Sequence, residues 1–140
     1  MPSVTAEWQE GLEFTVQQDG HTFTIDGSSE FGGRDRGPRP KNLMLTALAG
    51  CTGMDTVSIL SKMKITDYRL RIVADGEYTD DHPKVFSSLR LEFIFTGRDL
   101  PPDRLRRAVS LSQEKYCGVS AMLRDTADIE YTITVNDREE

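Results

Sequence analysis

Two cysteines are the residues in this chain best suited to chemistry. Cys51 lies in the apolar, small-residue run LMLTALAGCTGMDTVSIL, and Cys117 closes the polar run LSQEKYC before GVS. A chain that keeps only two thiols, one on an apolar helix and one where a helix ends and another begins, reads as a redox pair. Free cysteine is most often a small core residue, so Cys51 needs a lowered thiol pKa and a path for substrate before it can count as a nucleophile. Gly50 and Gly53 leave room beside its sulfur, and Arg34, Arg36 and Arg39 lie on the segment leading into the same helix. Cys117 is placed to gain thiolate stability from the positive end of a helix. Asp55 shares a helix face with Cys51 and reads as a solvated or helix-pairing carboxylate. His21 and His82 have no cysteine or carboxylate at ligand spacing, so no metal site is expected. Trp8 and Tyr116 read as packing residues. No glycine-rich dinucleotide fingerprint, phosphate loop or serine elbow occurs, so no cofactor is expected.

The elements that must hold these thiols are set by pattern. At 140 residues the chain is one domain with room for a core. A net charge of −6 speaks against nucleic acid or an anionic membrane as partner. The N-terminal segment has neither a charged n-region nor an apolar h-region, and the two cysteines do not suggest a disulfide framework, so a reduced, cytoplasmic setting is expected. VTAEW, LEFTVQ and HTFTID alternate as strands, with Asp19-Gly20 as a hairpin turn. Residues 27–40, rich in Gly and Pro, form a loop. A helix then runs from Lys41, behind Pro40, to about Lys64. Its apolar residues surround the axis, which predicts burial on most sides and a second chain to help cover it. The stretch Leu43 to Leu60 approaches the length of a membrane span, but its threonines, glycines and Asp55 dilute it, and a core helix is expected. DYRLRIVADGEYT and KVFSSLRLEFIFTG predict two longer strands. PPDRLRRAVSLSQEKY predicts an amphipathic helix with Leu105, Ala108, Val109 and Ser112 on one face. VSAMLRDT is a shorter helix and IEYTITV a last strand, giving an α+β chain with antiparallel sheet.

At these residues a family resemblance enters. PRPKNLMLTALAGCTGMDTVSIL resembles the first-cysteine helix of the OsmC/Ohr family, whose pattern is Pro-x-Glu-Leu followed by small and apolar residues up to Ala-x-Cys. EKYCGVSAML resembles its second-cysteine segment, and FTGRDL with AVSLSQEKYC is similar to the YhfA-type branch. The resemblance implies an OsmC-like fold: an intertwined homodimer in which antiparallel sheets wrap two central cysteine-bearing helices. It also implies thiol peroxidase chemistry on organic hydroperoxides, with Cys51 peroxidatic and Cys117 resolving. An external dithiol of the lipoyl type would reset the pair. The family site adds an Arg that stabilises the thiolate and a Glu that orients it. Arg34 and Arg36 are the candidates for the Arg, with Arg39 third. The family Glu falls at Asn42, whose amide can hydrogen-bond a guanidinium but brings no charge. Glu30 is a candidate replacement. Three readings stand at this level: a peroxidase for oxidative stress defence, a non-catalytic binder of a small hydrophobic ligand, and a dimeric scaffold with inert thiols. A Cys51 pKa near or above the free-thiol value of about 8.5 favours the last two.

Overall fold

The computed structural model describes residues 1–137, with mixed α and β elements. Contacts divide the chain into two units, Met1–Met44 and residues 45–140. The first is a three-stranded antiparallel meander of β1 (Val4–Glu10), β2 (Glu13–Gln18) and β3 (His21–Ile25). The β2–β3 turn is the expected Asp19-Gly20, with φ of 52° and 79°. Two positive φ values are what a two-residue primed turn requires, because its twist matches that of the strands. Little of this sheet is buried: β1 is exposed along its whole length, and Val16 is the core side chain of β2. Beyond β3 the chain makes a single 3₁₀ turn at Ser29–Phe31 and then loops to residue 42.

The second unit holds the core. The long helix α1 (Leu43–Lys62) enters through turn bonds, with the N–H of Leu43 donating to the carbonyl of Pro40. It stops where Lys64 adopts a left-handed φ of 64° and the N–H of Ile65 reaches back to Leu60. Next come β4 (Arg69–Tyr78), β5 (Phe86–Gly97), α2 (Pro102–Leu111), α3 (Gly118–Arg124) and β6 (Asp128–Asp137). In β5 the alternation is realised in full: Leu89, Leu91, Phe93 and Phe95 are buried, while Arg90 and Glu92 face water. On α2 the expected face, Leu105, Ala108, Val109 and Ser112, is buried without exception.

One expectation needs correction. The second sheet, ordered β4-β5-β6, is mixed and not wholly antiparallel, because β6 pairs parallel to β5 along its length. Residues 98–127 form a helical crossover between these strands, and a chain that crosses over in this way returns in the same direction. Helix α1 is covered by its own chain on one side alone. Within the chain, only the stripe Leu48, Thr52, Thr56 and Leu60 is buried, one residue per turn. Met54 is 76% exposed, and Met44 and Val57 are also exposed. The helix is long and apolar enough to cross a membrane by length and composition, yet this stripe packs inside the unit.

Candidate functional site

The stripe on α1 is half polar, and that determines what packs on it. The Thr56 hydroxyl satisfies itself on the carbonyl of Thr52 at 2.8 Å, a helix back-bond. Thr52 reaches outward instead. Its hydroxyl accepts from the Gln113 amide, and its carbonyl accepts from the Ser112 hydroxyl at 3.2 Å. Ser112 and Gln113 are consecutive, so an α-helix would point them about 100° apart. Both are nevertheless buried, because residues Ser112–Tyr116 form a π turn in which the N–H of Cys117 donates to the carbonyl of Ser112 at 2.8 Å. The turn widens the helix end of α2 and delivers Cys117 to the start of α3.

Cys117 is buried there, and its sulfur accepts from the Ser120 N–H at 3.3 Å. The Ser120 hydroxyl donates to Gln113, and Arg124 donates to the Gln113 carbonyl at 2.8 Å. Among the described residues, no buried side-chain polar atom in this network or elsewhere lacks a partner. Cys51, next to Thr52 on α1, is half-buried. The two sulfurs and a carboxylate oxygen of Asp55 lie within 4.8 Å of one another. The cysteines, far apart in sequence, are thus neighbours in the second unit. Asp55 is not the solvated or helix-pairing carboxylate expected: it accepts from Ser112 at 3.4 Å and stands beside both thiols. Neither His21 nor His82 belongs to this group.

The two thiols are not equivalent. Burial pushes the Cys51 thiol up; the backbone N–H of Val119 acts against this, and Cys117 and Asp55 add to the rise. For Cys117, burial also disfavours the thiolate, but hydrogen bonds from Ser120, Thr52 and Cys51 outweigh it and bring the thiol below its ordinary value. A proton is therefore held more firmly on Cys51 than on Cys117. The lowering at Cys117 is in the direction expected for a thiol at a helix start, whereas the rise at Cys51 is opposite to what a nucleophile there needs. Taken alone, a raised Cys51 is the direction that the inert readings require.

On its outer side α1 borders an open groove of about 1030 Å³, lined by Ala49, Gly50, Gly53, Met54 and Val57 of the helix with Ile72 of β4. A Cβ on Gly53 would come within 2.9 Å of the terminal methyl of Ile72, which would have to shift to admit it. Tyr116 is 54% exposed beside the Lys115 ammonium, 5.3 Å from its ring, so it is not the packing residue expected.

The remaining sequence candidates, Arg34, Arg36, Arg39 and Asn42, belong to the first unit. Their loop is tied to Asp26, a buried carboxylate that is not among the candidates named from the sequence. Asp26 accepts from the N–H groups of Gly27 at 2.7 Å, Arg34 at 3.1 Å and Arg36 at 3.2 Å. Burial alone would raise its pKa; the three backbone donors and the Arg34 charge outweigh that and hold it below the ordinary carboxylate value. Its position before Gly27 is a usable signal, because Asp readily binds backbone N–H groups in turns. The glycines allow close approach: a Cβ on Gly33 would overlap the carbonyl of Gly27, and one on Gly37 that of Thr24. Arg34 pairs with Glu10 and, at 3.2 Å, with Glu13, which also lies 3.8 Å from Arg36. These carboxylates come from β1 and β2, not from the loop itself, where Glu30 is the sequence candidate. Arg39 pairs with Asp35 at 2.7 Å, and Asn42 joins Arg36 and Arg39 around a shallow cavity of about 550 Å³. Trp8, expected to pack, is 62% exposed, its ring N–H donating to the carbonyl of Gly11 at 2.9 Å.

Comparison with known proteins places this geometry. The model of the OsmC-like protein family matches residues 32–132. Protein YhfA of Escherichia coli strain K12 is 37% identical over 130 residues, covering 92% of this chain and 94% of that protein. A hypothetical protein from Aquifex aeolicus VF5 superposes with a TM-score of 0.87 at 25% identity, over 99% of this chain and 98% of its own. The organic hydroperoxide resistance protein OsmC from Legionella pneumophila has the same fold, with a TM-score of 0.74 at 16% identity over 96% and 97% of the two chains. With the family model matching residues 32–132 and a relative 37% identical over 92% of the chain, the chain belongs to the OsmC-like protein family.

Proposed function

We propose that this protein is a thiol-dependent peroxidase that reduces organic hydroperoxides with Cys51 and Cys117. One observation carries the reading: two free thiols on separate elements stand within 4.8 Å of each other, one of them biased toward the thiolate. Membership of the OsmC-like family, and a solved neighbour named for organic hydroperoxide resistance, support it.

A Cys51 thiol that holds its proton beside a more acidic Cys117 suits a shared-proton mechanism. The Cys117 thiolate takes the proton of Cys51 across their hydrogen bond, so the Cys51 thiolate forms with no change in net charge. That thiolate attacks the outer peroxide oxygen, the O–O bond breaks, and the alkoxide leaves as alcohol on taking a proton. Cys51 is then a sulfenic acid. The Cys117 sulfur displaces its hydroxyl, water leaves, and a disulfide stands in place of two thiols. An external dithiol of lipoyl type returns the pair by exchange and is itself oxidised to a disulfide. Apolar surface around α1 favours hydroperoxides with hydrocarbon groups. Arg34 and Arg36 stay in this proposal as the candidates for the thiolate-stabilising guanidinium, with Glu10 and Glu13 as their carboxylate partners where Asn42 brings no charge. A homodimer in which a second copy covers the outer face of α1, and a cytoplasmic setting, complete it.

The test is consumption of an alkyl hydroperoxide by the reduced chain with dihydrolipoamide. Cys51→Ser should abolish it. Cys117→Ser should allow one slowed turnover, because base and resolving thiol are lost together, followed by over-oxidation of Cys51 visible by mass. Asn42→Glu should raise the rate by firmer hold on a guanidinium. A wild-type chain that consumes no hydroperoxide, with Asn42→Glu unchanged, defeats the proposal. The second reading, a binder of a small hydrophobic ligand, then takes its place, favoured by the apolar groove beside α1 and the raised Cys51 thiol.

A further inference from the structure

We infer that Cys51, Asp55 and Cys117 together form a Zn²⁺ site in the reduced protein, with three protein ligands and a fourth position open. The three ligand atoms lie within 4.8 Å of one another. Zinc binds thiolate sulfur at about 2.3 Å and carboxylate oxygen at about 2.0–2.2 Å, so two ligands on one ion stand about 3.5–3.8 Å apart at the tetrahedral angle. Small side-chain rotations therefore close the site around an ion. Cys51 and Asp55 are one turn apart on α1, a spacing that puts both on one helix face, and Cys117 approaches from the start of α3. The ligand types select the metal: two sulfurs favour zinc over magnesium or calcium, which take oxygen alone.

The surroundings hold these ligands in place. Ser112 donates to the Asp55 carboxylate, and the Ser120 N–H donates to the Cys117 sulfur, contacts of the kind that orient metal ligands from behind. Up to three negative charges gather in a partly buried space, and a divalent cation offsets most of them. Half-burial of Cys51 and Asp55 leaves a way in. Binding engages both sulfurs at once, so the bound ion keeps them from peroxide or alkylating reagents. This inference goes beyond the proposed peroxidase reaction and needs only that the thiols be reduced.

The experiment titrates the full reduced chain with ZnCl₂ under argon by calorimetry, then repeats it with CdCl₂, reading the sulfur-to-metal charge-transfer absorption. The expected result is one ion per chain, with both cysteines protected from iodoacetamide. Asp55→Asn should weaken binding by about tenfold or more, on the scale seen when even the groups behind a metal ligand are removed. Cys51→Ser should weaken it further and reduce the cadmium band. Should Asp55→Asn fail to fold, wild-type chain alkylated at Cys51 replaces it and must lose the ion. Absence of one-to-one binding, unchanged affinity in Asp55→Asn, or binding that survives alkylation of Cys51 overturns the inference. No peroxide enters the measurement, so inactivity toward hydroperoxides leaves its outcome intact.

Discussion

The thiol-bearing second unit and the arginine-bearing first unit are built by different physics. Around the thiols, a continuous apolar core of Leu48, Leu60, Leu89, Leu91, Phe93, Phe95, Leu105 and Val109 supports a closed set of buried hydrogen bonds. Around the arginines, a nearly coreless sheet carries a loop held by one buried carboxylate and by ion pairs at the surface. Packing fixes the geometry of sulfur against sulfur, whereas charge and backbone hydrogen bonds fix the loop. Core packing is insensitive to pH and salt, and the second kind of order is sensitive to both.

The largest way to break this contrast is to remove core from the second unit. Phe93→Ala, at a fully buried ring set edge-on to Tyr131, should destabilise by about 3–5 kcal/mol in urea unfolding. Val16→Ala in the first unit removes two methyl equivalents and should remove about 1.5 kcal/mol. Equal losses would show that the meander is as tightly packed as the second unit.

Thr52→Val keeps the shape and deletes the hydroxyl that accepts from Gln113. It leaves that amide unpaired, with an expected loss of about 1–3 kcal/mol. It also removes a hydrogen bond that favours the Cys117 thiolate, so the pH profile of iodoacetamide labelling at Cys117 should move upward. A profile that stays in place would mean that Thr52 matters to packing alone.

Asp26 sharpens the comparison from the other side. Its carboxyl is held below the ordinary value, so its ionised form stabilises the loop above the unfolded carboxylate pKa of about 3.9. That contribution is lost as pH falls through the lower, folded value. Amide protection, taken relative to the intrinsic exchange rate at each pH, should therefore fall at Arg34 and Arg36 on acidification, and at neutral pH in Asp26→Asn, before it falls in β5. Simultaneous loss of protection in both units would erase the distinction. The smallest effect belongs to Arg36→Ala. Its 3.8 Å pair with Glu13 is exposed on the arginine side, and global stability should change by less than about 0.5 kcal/mol.

The second unit was the more legible of the two. The alternation in LRLEFIF reports directly which side of β5 is buried, and the helical period in RLRRAVSLS reports the buried face of α2. Pattern of this kind names the face and not the neighbour. The parallel pairing of β6 depends on where a crossover returns the chain, and the sequence of β6 is silent on that. The cysteine partnership was legible through the two motifs, and so was the stabilised thiolate at Cys117; the rise at Cys51 was not, because it comes from burial and from Cys117 and Asp55 brought beside it by the fold. In the first unit, Arg34 and Arg36 could be read as a basic loop. Their partners Glu10 and Glu13 sit on strands that meet the loop only after folding, and Asp26-Gly27 marks a turn without naming Arg34 and Arg36 as the backbone N–H groups that it binds.

The π turn at Ser112–Tyr116 also limits how this segment can evolve. It takes up one residue more than an α turn, so closing it as an ordinary helix with every residue kept would rotate the downstream chain by about 100°. Cys117 would then face away from Cys51 although both codons survived. Substitutions that favour a regular α turn at this length should therefore break the pairing, whereas loss of one residue here, with the bond from the Cys117 N–H to the Ser112 carbonyl closing an α turn instead, should keep it.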